Sequence, residues 1–356
     1  KMKVNISKIY NRLPSFIRHP KEHKKTIISL TLFVVTLWSV VFFLKPPQEA
    51  QATWYNDNWL YRKKIEISNA GSAQTDFQVQ LTLNTATPIS EGKMQNDCDD
   101  IRITDINGKL LPHWVEDGTC NNATTRIWTK MPSVPASGAT VYVYYGNSSV
   151  TNNENGDGVF VFFDDFSAST LNENKWSDSG NHEISGGVIR TWAAVSGWLG
   201  LSLKSSAYDS SPTDIHTLEY RWKADALSKM HHIYGATDNR FGIHPYYIDT
   251  TGPHIQYRIN GGSYTNKAQY ATISASTWYV HQIQRRAAGE FYALTYDANY
   301  SLLGSDSQSS SYWESLTFTW EMPDQGTTNH YLDWFRVRKY AATEPSAGGA
   351  GSEEQS

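Results

Sequence analysis

From Thr53 onward, hydrophobic and polar residues alternate in short runs broken by Gly, Asn, Asp, Ser and Pro. That is the pattern of antiparallel sheets, each strand with one apolar face. Tyr61 to Ile67 alternates at its end, and Phe77, Val79, Leu81 and Leu83 fall on one face of the next run. Ile101-Arg102-Ile103 leads into Asp105-Ile106-Asn107-Gly108, whose Asn-Gly step suits the positive φ of a hairpin turn. Arg126 to Met131 and Thr140 to Tyr145 read as two more strands, so 53–150 predicts a small β-sandwich. The polar stretch 151–158 carries too little apolar surface to make a core and reads as a linker. Val159-Phe160-Val161-Phe162-Phe163 then opens a second β unit over 159–341. In it Leu218, Tyr220 and Trp222 alternate, as do Ile255, Tyr257 and Ile259, and Tyr331 to Val337 supplies a late strand. A jelly roll of two packed sheets fits this span. The small, Gly-rich stretch 342–356 reads as a disordered tail. The predicted class is all-β: sandwich, then jelly roll, preceded by one helix at 26–44.

That helix follows from the longest apolar run. Thr26 to Leu44 holds nineteen residues without a charge, long enough for a hydrocarbon layer of about 30 Å. Residues 1–25 carry eight Lys/Arg against one Glu, and a basic flank stays cytoplasmic, which places everything after Lys45 outside. Two fates stay open for the run. It is either an uncleaved membrane anchor or a signal removed after Ala50-Gln51-Ala52, an A-x-A site.

An exported body changes how the two cysteines are read. Cys98 and Cys120 lie 22 positions apart, and in an oxidising compartment a local disulfide is expected, with two free buried thiols as the alternative. Charge narrows the partners. The head is +7 against a formal total of −4, so the remainder is −11. An acidic body argues against nucleic acid as a partner. No P-loop, G-x-G-x-x-G or G-x-S-x-G element occurs, which removes the basis for nucleotide use and α/β-hydrolase chemistry.

The motifs of the first unit run in a distinctive order: Trp59-Leu60-Tyr61-Arg62-Lys63-Lys64-Ile65, Cys98-Asp99-Asp100-Ile101-Arg102-Ile103-Thr104-Asp105, Leu111-Pro112-His113-Trp114-Val115-Glu116, Ile127-Trp128-Thr129-Lys130-Met131-Pro132, and Val143-Tyr144-Tyr145-Gly146-Asn147. On these the unit resembles the domain-of-unknown-function family numbered 2341. The resemblance implies an envelope or secreted setting, with some members joined to proton-channel subunits, and no defined activity. Phe162-Phe163-Asp164-Asp165-Phe166, Leu171 to Trp176, Ser185-Gly186-Gly187-Val188-Ile189 and Tyr331 to Val337 give the second unit a resemblance to concanavalin-A-like lectin/glucanase jelly rolls. That fold hosts lectins, hydrolases and adhesion modules alike.

Glucanases similar to this unit use Glu-x-Asp-x-Glu on one strand, which places two carboxylates about 5 Å apart. The pattern is absent here, and Glu219 has Thr217 and Arg221 as same-face neighbours, so catalysis is not expected. The same resemblance implies one structural Ca²⁺ held by Asp333, Gly187 and the Phe163-Asp164 neighbourhood, since the ion takes 6–8 oxygens. Sugar binding needs an aromatic platform flanked by polar side chains. Trp192, Trp198, Trp222, Tyr234, Arg240, His244, Tyr246, Tyr247 and Tyr257 supply those residue types, as ordinary core residues also would, and Asn239 to Tyr247 is the segment to follow. The function expected is an envelope-anchored or secreted protein that binds a glycan or another surface component, without catalysis. A structural module that binds other envelope or channel proteins is the second reading, and a polysaccharide hydrolase the third.

Overall fold

The alternating runs form strands because β-branched and aromatic residues recur every second position and pack on one face. The structure is a computed structural model that describes residues 54–192, 199–208, 214–227, 230–236, 238–246, 252–314, 319–324 and 328–356. The basic head, the apolar run 26–44 and the A-x-A motif lie outside the described residues. Among the described residues no helix is long and apolar enough to cross a membrane.

The first domain contains β1 (Tyr61–Ser68), β2 (Gln74–Leu83), β3 (Arg102–Asp105), β4 (Leu110–Leu111), β5 (His113–Val115), β6 (Thr125–Val134) and β7 (Ala139–Tyr145), with a short helix α1 (Ala86–Ser90). Strands β1, β7, β3 and β4 form one sheet, and β2, β6 and β5 form the other. Phe77, Val79, Leu81 and Leu83 are buried against Ile65, Ile67, Ile103, Val141 and Val143, as the alternation requires. The hairpin turn falls where Asn107-Gly108 placed it, with Gly108 at φ +79°. The expected disulfide joins Cys98 to Cys120, with Cα atoms 6.1 Å apart.

Two expectations about polar stretches meet different outcomes. The stretch 151–158 has no strand and ends in a short helix, α2 (Gly156–Val159), capped by Asn155 Oδ1, which accepts from the Gly158 amide at 2.7 Å. The Asn155 amide in turn donates to the His113 carbonyl at 2.8 Å. Polar chain is ordered here because its backbone groups find partners. The stretch 342–356, in contrast, is not a disordered tail. Strands β23 (Ser346–Ala347) and β24 (Glu353–Gln355) pair antiparallel with β1, in register Ile67↔Ala347 and Tyr61↔Gln355. Low hydrophobicity did not prevent order, because the free edge of β1 supplies main-chain hydrogen bonds regardless of side chain. Glu353 then accepts from the Tyr145 hydroxyl and the Lys93 ammonium, both at 2.7 Å.

The second domain stacks two sheets. One consists of β10 (Asn181–Ser185), β11 (Val188–Trp192), β22 (His330–Lys339), β13 (His216–Ala224), β18 (Tyr279–Ala287), β19 (Glu290–Asp297) and β20 (Leu302–Ser309) in that order, with β8 (Phe162–Asp164) also on β22. The other runs β17 (Thr265–Gln269), β16 (His254–Arg258), β15 (Asn239–Tyr246), β14 (Met230–Ala236), β21 (Thr319–Asp324), β12 (Leu199–Leu203) and β9 (Trp176–Asp178). Leu218, Tyr220, Trp222, Leu332, Phe335 and Val337 meet Leu201, Phe241, Ile243, Ile255, Trp320 and Met322 between the sheets. The pairing of β13 with β22 skips Asp333. This bulge reverses the phase of β22, so that Leu332 and Phe335 both face inward while Trp334, Arg336 and Arg338 face outward.

That outward face packs against the first domain. Trp114, Trp128, Val159, Phe160 and Phe163 cluster with Val280 and Trp334, each Phe-sized side chain contributing roughly 1.5–3 kcal/mol of burial. Gln78 bridges the seam, donating to the Val159 carbonyl at 3.0 Å and accepting from the Lys339 amide at 2.9 Å.

Candidate functional site

On the outer face of the seven-stranded sheet Arg240, Gln256 and Arg258 are half-buried, while His244 and His254 are covered. Alternation aims every second residue of each strand outward. Register carries one row across all seven strands: Ser177, Ser202, Glu321, Ile233, Gly242, Gln256 and Asn266. Beside it runs a second row, Thr319, Gly235, Arg240 and Arg258. The Arg240 stem lies across Gly235, where an added Cβ would come 2.9 Å from Arg240 Cγ. Glycine is what lets the guanidinium lie low on the sheet.

Hydrogen bonds fix these groups. Gln256 Nε2 donates to Asn266 Oδ1 at 2.7 Å. Arg258 donates from Nε to the Gly262 carbonyl at 2.9 Å and from Nη2 to the Gly261 carbonyl at 3.0 Å, which braces the β16–β17 turn. The same guanidinium lies 5.5 Å from the ring of Tyr264, a tyrosine left 48% exposed. An exposed ring beside amide, guanidinium and carboxylate groups suits a saccharide, whose apolar ring face stacks while its hydroxyls hydrogen-bond.

The residues named from sequence divide. Arg240 stands on this face. Trp222 is 1% exposed inside the core, its indole N–H 3.3 Å from His330 Nδ1, so it cannot be a platform. His244 faces the outer side beside His254, the rings 5.5 Å apart, but is covered to 2% exposure. Tyr257 turns inward and packs on Trp313 at 6.3 Å. Trp192 belongs to β11 on the opposite sheet, under the Arg190 guanidinium at 4.4 Å. Trp198, Tyr247 and the side chains of Tyr234 and Tyr246 lie outside the described residues. Sequence reasoning missed Tyr264, Arg258, Gln256 and Glu321. Gly261-Gly262 before Tyr264 was the one available signal, since a turn lifts the following side chain out of the core.

The calcium expectation is tested by the chemistry of its donors. The Phe163 carbonyl accepts from the Lys175 ammonium at 2.6 Å. Asp164 accepts from the Phe166 amide at 2.9 Å and from the Trp176 indole at 2.8 Å. Asp333 is paired with Arg221. Gly187, at φ +75°, faces the Asp165 carbonyl. Among the described residues no three His, Cys, Asp or Glu side chains gather to hold a metal ion. Protein cations thus hold two of the named donors, the Phe163 carbonyl through Lys175 and the Asp333 carboxylate through Arg221. Carboxylates nonetheless accumulate near the seam. Burial pushes Asp117 up to about 7, helped by Asp333, Asp165 and Glu116, and pushes Glu154 up to about 8, helped by Asp117.

Glu219 lies away from the seven-stranded sheet. It is 1% exposed at the seam, receiving Arg336 Nε at 2.6 Å, Arg338 Nε at 2.9 Å and Gln282 Nε2 at 2.8 Å. Burial alone would raise it, yet the Arg338 and Arg336 guanidiniums hold it below the ordinary carboxylate range.

With the geometry in place, comparison with known proteins adds the following. The fold is an all-β pair of sandwiches, the second a jelly roll. Residues 97–179 match the family model described as a domain of unknown function, DUF2341, a span that includes the motifs from Cys98 to Asn147, leaves out Trp59 to Ile65 and runs on into the second β unit. No curated protein matches the sequence. Among solved structures, a β-1,3-glucanase from Mycobacterium marinum is similar at 16% identity and a TM-score of 0.39, over 50% of this chain and 98% of that one. A glycosyl hydrolase family protein from Mycobacterium fortuitum gives 16%, 0.38, 50% and 99%. The CBM2 module of the Lactobacillus casei BL23 phage J-1 evolved Dit gives 10%, 0.36, 50% and 94%.

Proposed function

We propose that this is an exported binding protein, anchored through 26–44 or released after Ala52, that recognises a carbohydrate on the outer face of its seven-stranded sheet without cleaving it. The observation that carries this reading is the exposed Tyr264 ring grouped with Arg258, Gln256, Asn266 and Arg240 at one end of that sheet. The register supports binding over hydrolysis. Glu321 has Ser202 and Ile233 as its cross-strand neighbours, whereas a retaining hydrolase needs a second carboxylate about 5 Å away.

The test is binding of the full chain to a broad array of neutral and charged polysaccharides. Saturable binding to one saccharide class, lost in Tyr264→Ala and in Arg240→Ala, is the expected result. A folded chain that binds nothing on the array would overturn this reading in favour of protein recognition.

A further inference from the structure

The first domain covers the outer face of the eight-stranded sheet along Trp334 to Lys339, and the residues at the other end are half-buried. There register aligns Glu183, Arg190, Tyr331 and Lys223 across β10, β11, β22 and β13. Trp278 precedes β18 at the next position, and Trp192 ends β11. The bulge at Asp333 creates this arrangement, since it is what turns both Tyr331 and Trp334 outward.

Cations and rings interleave here. The Lys223 ammonium lies 4.6 Å from the Tyr331 ring and 4.8 Å from the Trp278 ring. Arg221 sits 4.7 Å from Trp278, and Arg190 sits 4.4 Å from Trp192. All six side chains are half-buried. Their charges are not spent alike. Arg221 is neutralised by the buried Asp333. Asp225 is occupied by the Tyr331 hydroxyl at 3.1 Å and the Asn329 amide at 2.8 Å. Arg190 holds Glu183 at 2.6 Å through an exposed pair, which an incoming anion displaces at little cost. Among the described residues Lys223 pairs with no carboxylate, and two aromatic rings hold its ammonium in place.

We infer that this patch is a second binding surface, specific for an acidic polysaccharide that carries carboxylate or sulfate groups. A cation fixed over an aromatic face keeps outward-pointing N–H donors and loses little freedom on binding an anion. Rings spaced between the cations offer stacking area to the sugar residues between charged groups. Lys223, the patch's one cation without a carboxylate among the described residues, together with Arg190 once Glu183 is displaced, favours the anion, and the rings beside them favour a saccharide over a peptide. The surface is on the opposite sheet from the one proposed above, so the two stand or fall separately.

The experiment titrates the full chain with polygalacturonate, its methyl ester, dextran sulfate and dextran, with polyglutamate as the peptide probe. Binding to polygalacturonate or dextran sulfate, and not to their uncharged counterparts, is expected, and which of the two binds distinguishes carboxylate from sulfate. Lys223→Gln should weaken it about fivefold and Lys223→Gln with Arg190→Gln more than tenfold, from exposed cation contacts. Lys223→Arg should retain it, and Tyr264→Ala on the other sheet should leave it unchanged. No binding to either anionic polymer, unchanged affinity in the double variant with its fold intact by circular dichroism, or equal binding of polyglutamate would overturn the inference.

Discussion

Arg336 is 0% exposed, flat against Trp128 and Trp334 at 4.2 and 4.1 Å, and bonded to Glu219, Glu116 and Tyr300. Removing one partner from a buried ion network leaves charge without compensation, so Arg336→Ala should cost about 3–5 kcal/mol in denaturant unfolding. Asp117 makes a prediction of opposite kind. Its native pKa is raised, so the native state binds more protons than the unfolded chain between roughly pH 4 and 7. Its contribution is present below the unfolded pKa and lost as pH rises through the native one. Asp117→Asn should therefore raise the melting temperature more at pH 8 than at pH 5, whereas an equal shift at both would mean that the carboxyl is not perturbed. Neither role was legible from sequence. A one-dimensional pattern marks Arg336 as an outward strand residue, and only the partner domain makes outward mean buried. The same limit explains Trp222: residue type suits a sugar platform and a core equally, and the sheet phase decides.

At the scale of elements, strands with clean alternation were readable because burial of one face fixes both type and register. The run Phe77 to Leu83 and the Asn107-Gly108 hairpin fall where the pattern put them. What composition could not reveal was order that depends on the main chain. The tail 342–356 offers few apolar side chains, but β23 and β24 seal the edge of β1, and Glu353 and Glu354 reach Tyr145, Lys93 and Arg62. Deleting 342–356 should destabilise the first domain by roughly 2–4 kcal/mol, at about 1 kcal/mol for each of several lost hydrogen bonds. Faster hydrogen exchange along β1 would locate the loss. Unchanged exchange there would show that the tail strands do not hold the edge.

For the whole molecule, an aromatic and ionic seam joins the two β units and covers part of the eight-stranded sheet's outer face. The alternating runs disclosed an all-β chain of sandwich-like sheets. They did not disclose which sheet would be covered, because Trp114, Glu116, Trp334 and Arg336 lie far apart in the chain and meet only in three dimensions. Carbohydrate recognition is proposed for the seven-stranded sheet. Its most direct test is hydrogen exchange of the full chain with and without a saturating concentration of the saccharide it binds. Slowed exchange in β15 and β16, around Arg240, Gln256 and Arg258, is the predicted result. Binding that leaves those strands unprotected and slows exchange only in the first domain would contradict it.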